Sequence, residues 1–113
     1  MIRIDAVWLA VNPIDMRTGV DRLLGSVVEV FGRAQAHHGY IFANARASRI
    51  RLLVHDGFGV WCAARRLNQG GFDWPRNAGP AAAPLALTRD QFDALMLGLP
   101  WQRLEQMRVI ARL

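Results

Sequence analysis

The segment RIRLLVHDGFGVWCAARRL, residues 49–67, admits little besides a β-hairpin. Two apolar arms flank Asp56-Gly57-Phe58-Gly59, and Asp-Gly between such arms is the strongest short-range hairpin signal. If His55 faces Val60 across the turn, the register of the ribbon follows, because strand side chains alternate with period two. Ile50, Leu52 and Val54 then share a face with Trp61, Ala63 and Arg65. The other face gathers Arg49, Arg51, His55 and Arg66 beside Leu53, Val60, Cys62 and Ala64, with Arg49 directly opposite Arg66. Like charges so placed repel by a few tenths to about 1 kcal/mol. The cluster therefore calls for a neighbouring carboxylate or an outside anion, and Asp56 and Asp73 are the only acids close by in sequence. Two readings stand side by side: an anion-binding face, and a solvated charged face that keeps an edge strand from aggregating.

The charge distribution extends this point. Residues 33–76 hold seven arginines (Arg33, Arg46, Arg49, Arg51, Arg65, Arg66, Arg76) against two acids, a balance of +5 that equals the net charge of the chain. Residues 1–32 sum to −1 and residues 77–113 to +1. An anionic partner, nucleic acid first, is the natural expectation. All 14 basic residues are arginine. GC-rich codon usage explains this, and so does the fit of planar guanidinium groups to phosphate. A chain of 113 residues is expected to form a single domain, residues 1–113, and its 52% hydrophobic content supports a core. No apolar run reaches the roughly 18 residues of a membrane span, so no membrane partner is expected. The stretch MIRIDAVWLAV lacks the features of a signal peptide. Cys62 stands alone, which fits a reducing compartment and makes the cytoplasm the default location.

Along the chain, residues 7–11 read as a strand ended by Asn12-Pro13. A helix follows, with Asp15 or Thr18 as N-cap, Asp21 in a box-like position after Thr18, and Val20, Leu23, Leu24, Val27, Val30 and Phe31 at helical spacing. Gly32 or Gly39 ends it. Tyr40-Ile41-Phe42 begins a second strand, the hairpin comes next, and Phe72-Asp73-Trp74 reads as a further short strand. Residues 75–84 form a Pro/Ala-rich connector. Residues 85–87 read as a strand leading into a second helix, where Thr88 and Gln91 make a capping box and Phe92, Leu95, Met96 and Leu99 line one face. Gly98-Leu99-Pro100 stops that helix, and residues 102–113 form a tail suited to an amphipathic turn or a partner. The expected fold is α+β: an antiparallel sheet of four to five strands with a central β-hairpin, packed by two main helices against one face.

Enzymatic signatures are missing from the sequence. His37, His38 and His55 match no zinc spacing, and one cysteine cannot build a thiolate cluster, so no metal site is expected. No phosphate-gripping Gly-Lys-Ser/Thr loop is present, and Gly57-x-Gly59 precedes a strand rather than a helix, so no cofactor is expected either. Three acids with magnesium could cleave nucleic acid, yet each carboxylate has a local task. Asp15 and Asp21 sit at a helix start, Asp56 in a turn, and Asp90 and Asp93 in a first helical turn. Trp61, Phe72 and Trp74 suit core packing or base stacking.

Three ordered blocks carry a family resemblance. They are Asp15-Met16-Arg17-Thr18-Gly19-Val20-Asp21; Arg51-Leu52-Leu53-Val54-His55-Asp56-Gly57 with Arg65-Arg66-Leu67 and Phe72-Asp73-Trp74-Pro75; and Leu87-Thr88 through Gly98-Leu99-Pro100-Trp101. Together they resemble the small TnpB (Orf2-like) accessory protein of bacterial Insertion Sequence 66 family transposable elements, which is distinct from the RNA-guided nuclease of the same name. The resemblance implies a non-catalytic accessory role in transposition beside a separate, larger transposase. The partners expected are DNA, held by its phosphate backbone through Arg46, Arg49, Arg51, Arg65 and Arg66, and transposase subunits of the same element; homo-oligomers are left open. The alternative is a protein-interaction module of the transposase complex without DNA contact, its basic face meeting an acidic patch.

Overall fold

Parallel neighbouring strands need a crossover of a dozen or more residues, usually a helix, and the residues between the first two strands supply one. The computed structural model describes residues 2–75 and 84–103. Strand β1 (Ala6–Leu9) runs into helix α1 (Val20–Phe31), which returns the chain to β2 (His38–Ala43), parallel to β1. The remaining pairings are antiparallel: β2 with β3 (Arg49–His55), β3 with β4 (Val60–Arg66), and β1 with β5 (Leu85–Leu87). The sheet order is β4-β3-β2-β1-β5, followed in the chain by α2 (Arg89–Met96) and a 3-10 turn at Trp101–Arg103. The result is an α+β fold with a mixed, mostly antiparallel sheet.

Strand alternation sends side chains into two separate cores. Tyr40, Phe42 and Leu53 meet Leu23 and Val27 of α1 on one face. Ile41, Ala43 and Ile50 meet Leu95 of α2, together with Phe72, Trp74 and Trp101, on the other. The helices therefore cover opposite faces, which corrects the single-face expectation. The physical reason is that β2 and β3 are apolar at both odd and even positions, so each face needs its own cover.

Local details separate the motifs that set structure from those that do not. The hairpin register agrees with the expectation throughout, from His55 opposite Val60 to Arg49 opposite Arg66. At its turn, Asp56 Oδ1 accepts the Phe58 and Gly59 N–H groups at 2.9 and 2.8 Å. Gly57 adopts φ 89°, a conformation that costs glycine nothing. The Thr88–Gln91 capping box forms in both directions, at 2.9 and 3.1 Å.

The start of α1 differs from the sequence reading. Gly19 is the N-cap and makes no side-chain bond, because Asp15 is held by Arg17 instead. Gly32, with φ 84°, ends the helix. Val20 and Val30 are exposed rather than on the buried stripe, and Leu99 lies beyond α2, 49% exposed.

Phe72-Asp73-Trp74 is not a strand. Phe72 N–H donates to the Ala47 carbonyl (2.8 Å), Trp74 Nε1 donates to the Val11 carbonyl (3.0 Å), and the Asp73 carbonyl accepts from Trp101 Nε1 (2.6 Å). Its two aromatic rings are worth more buried under the sheet face than along an edge. No helix among the described residues is long and apolar enough to cross a membrane. Residues 76–83 of the expected connector and 104–113 of the expected tail lie outside the described residues.

These placements set a graded response to truncation in chemical denaturation. Leu23, fully buried between α1 and the sheet, should cost about 2–5 kcal/mol as Leu23→Ala. Loss of the α2 cap in Thr88→Ala should cost about 1 kcal/mol. Leu97→Ala, at a side chain 63% exposed, should change stability by under about 0.5 kcal/mol.

Candidate nucleic-acid interface

Period-two alternation puts Arg49 and Arg51 of β3 and Arg66 of β4 on the face that α1 covers. Helix α1 spans the sheet only as far as Leu53 and leaves the end of the hairpin near Arg49 and Arg66 open. There the chain forms a hollow of about 300 Å³ lined by Met16, Arg49, Arg51, Ala64, Arg65 and Arg66. A second hollow adjoins it, sharing Met16 and Arg49 and adding Arg46 and Ser48. The five arginines singled out by sequence thus border two contiguous depressions.

Each arginine reaches its place for a local reason. Arg46 projects from a loop wound around Asn44, whose Oδ1 accepts the Ser48 and Arg49 N–H groups at 2.9 and 3.1 Å. Asn44 Nδ2 also donates to Ser48 Oγ at 2.9 Å. The loop closes through buried Ala47, left-handed at φ 53°.

Arg51 is half-buried. It donates through Nη1 to the Thr18 carbonyl, and its Nη2 lies 3.2 Å from Cys62 Sγ, so it fastens the segment before α1 to the hairpin. Arg65 points the other way. Its Nε donates at 2.7 Å to the Met96 carbonyl, one of the acceptors an α-helix leaves free at its C-terminus. Arg46, Arg49 and Arg66 are exposed and make no side-chain hydrogen bond among the described residues.

Electrostatically, the cluster is not neutralised by its surroundings. Among the described residues the ion pairs are Arg3–Asp5, Arg17–Asp15 and Arg89–Asp93, and none involves a hairpin arginine. Asp15 and Asp56 are occupied locally. Two bonds from the Arg17 guanidinium and one from its backbone N–H hold Asp15 down at about 2. The Phe58 and Gly59 N–H groups keep the Asp56 carboxyl below the ordinary aspartate range. Among the described residues no group of three or more His, Cys, Asp or Glu side chains could hold a metal ion. His38 Nδ1 accepts from Trp8 Nε1 and His55 Nδ1 from the Gly57 N–H, both structural uses. Phe72 and Trp74 are buried in the core; Trp61, on the hairpin, is 54% exposed.

Sequence reasoning missed two contributors. Met16 lines both hollows, and the Thr18 carbonyl anchors Arg51. Both belong to the block Asp15–Asp21, whose order along the chain before the hairpin block was the available signal. Nothing in its spacing says that the two blocks touch.

Fold and hollows define a small α+β protein with an open basic end to its hairpin. The family described as "IS66 Orf2 like protein" matches residues 5–106, and the chain belongs to it. Membership ties the chain to an accessory role in insertion-sequence transposition; the family is not a known catalytic one. Two proteins of Sinorhizobium fredii (strain NBRC 101917 / NGR234) are similar. "Uncharacterized protein y4hO" is 30% identical over 97 residues, covering 85% of this chain and 82% of the relative. "Uncharacterized protein y4jC" is 28% identical over 102 residues, covering 88% and 84%. No solved structure gives a significant match.

The carboxylate geometry yields a pH signature. NMR titration should place the Asp15 midpoint at about 2 and that of Asp56 below an ordinary aspartate. Because the folded-state value of Asp56 is lowered, the turn's contribution to stability is complete above the unfolded-state value and is lost as pH falls through the folded one. Asp56→Asn keeps the Oδ1 acceptor, so it should retain the hairpin while removing this group's share of the pH dependence.

Proposed function

We propose that this chain is a non-catalytic accessory factor of IS66-type transposition that holds DNA by its phosphate backbone beside a separate transposase. The observation that carries the reading is the facing pair Arg49 and Arg66. They lie directly opposite each other, at an open hollow, with no acidic partner among the described residues. Two guanidinium groups held together against their mutual repulsion form a site for a bridging anion, and guanidinium matches phosphate in geometry as well as charge. Arg46 extends the same surface into the adjoining hollow. Arg51 gives part of its donor capacity to a backbone carbonyl and offers the remainder, whereas Arg65, turned to the other face toward Met96, adds its charge at the rim. Contacts of this kind fix position on the duplex and give affinity with little sequence preference. Of the acids once considered for magnesium-dependent cleavage, Asp15 and Asp56 are engaged in a loop and a turn, and Asp93 pairs with Arg89 at 3.3 Å.

The test is a titration of labelled transposon-end duplex at several salt concentrations. Affinity should fall with salt, and the logarithmic slope should shrink by about 1 for each phosphate-contacting arginine removed. Arg49→Ala with Arg66→Ala should lower affinity on end and unrelated duplexes alike, whereas Arg22→Ala, an exposed control on α1, should change it little. Binding indifferent to salt, or unaltered in the double variant, would overturn the reading. Retention of purified transposase after nuclease treatment, without any shift of DNA, would point instead to a basic face that meets protein.

A further inference from the structure

Strand β4 is the long free edge of the sheet. It has seven residues, all exposed, and among the described residues β3 is its only ladder neighbour, whereas the opposite edge, β5, has three residues. The direction of its unpaired backbone groups follows from bonds on β3. His55 and Arg49 turn their carbonyls to the side away from β4, accepting from His37 and Asn44, while Asp56 N–H donates to the Gly59 carbonyl across the turn. Antiparallel pairs alternate, so Trp61, Ala63 and Arg65 point their backbone groups inward, and Val60, Cys62, Ala64 and Arg66 present theirs to the outside. Edge strands of soluble proteins are ordinarily blunted by proline, bulges or inward-facing charge. The β3–β4 ladder carries neither proline nor bulge, the charges Arg65 and Arg66 sit at one end of β4, and its centre is the small run Cys62-Ala63-Ala64.

We propose that this edge binds a second copy of the chain, β4 against β4, antiparallel and centred on Ala63. In that register Val60 faces the partner's Arg66 and Cys62 faces the partner's Ala64. The four symmetric pairs of outward-pointing residues each exchange two N–H···O=C bonds. Trp61, half-exposed in the single copy, lies opposite the partner's Arg65 at a non-hydrogen-bonded position, where side chains approach most closely and a guanidinium stacks on an indole face. No like charges meet. Centring the two-fold on Arg65 or Arg66 would set two guanidinium groups face to face, and centring it on Trp61 would leave both arginines opposite turn residues. The axis stands perpendicular to a continuous ten-stranded sheet, so the arginine-lined hollows of the two copies open on the same side, and their Arg66 residues lie about 20 Å apart along the strands. The dimer does not depend on DNA binding and stands or falls without it.

Sedimentation of the full chain without DNA should show a species of twice 12.7 kDa at sub-millimolar concentration. Salt should strengthen this association by screening two basic chains from each other, opposite to its effect on DNA binding. Ala64→Pro removes an outward N–H without touching the internal ladder. It should give a monomer with an unchanged circular dichroism spectrum. If that variant fails to fold, the second test is Ala63→Cys in a Cys62→Ser background, where mild oxidation should join two chains by a single disulfide across the axis. A wild type that remains monomeric at high salt overturns the inference, as does a dimer that persists in Ala64→Pro or that the Ala63→Cys variant fails to cross-link.

Discussion

The whole arrangement rests on burying β2 and β3 on both faces. Side chains alternate along these strands, with Tyr40, Phe42 and Leu53 going one way and Ile41, Ala43 and Ile50 the other. Each set is too apolar to leave in water. Two covers are therefore needed, and the chain order supplies them from opposite ends: α1 before the central strands and α2 after them. Phe72 and Trp74 join the second cover rather than extending the sheet. Among the described residues the cover stops short of the hairpin's outer strand, and all seven residues of β4 are exposed.

That solvation gives the arginines their standing. In a strand buried on both sides, Arg49 opposite Arg66 would demand internal carboxylates, since buried charges must be paired. At the rim of the sheet, water and salt hold the two groups apart, and the cost of bringing them together stays small. The hairpin tolerates a repulsive pair because of where it lies, and the same location leaves the pair within reach of a ligand.

How much of this was legible in the sequence depended on whether a feature was local. The hairpin register followed from the turn at Asp56–Gly59 because face parity propagates without reference to the rest of the fold. The Thr88–Gln91 box did too, since both partners lie within one turn of helix. The split of the helices between faces was not legible, because it follows from the total apolar content of two strands and not from any one segment. The start of α1 was misread through competition. Asp15 is a good cap in isolation, but Arg17 two residues away engages it with both backbone and guanidinium. Phe72-Asp73-Trp74 has strand composition, yet its backbone bonds go to Ala47 and its indole bond to Val11. The five arginines were identifiable by charge, while the division between Arg65, turned toward Met96, and Arg49, left free, required coordinates.

Arg51 and Arg65 are both tethered by carbonyl oxygens, one from the segment ahead of α1 and one from the final turn of α2. A carbonyl is a dipole and carries no formal charge. Fastening a guanidinium to it organises the tertiary structure and leaves the net charge unchanged, whereas an aspartate in the same position would have cancelled one unit of it. The segment leading into α1 and the end of α2, on opposite sides of the sheet, are thus pinned to the hairpin by cations that keep their formal charge.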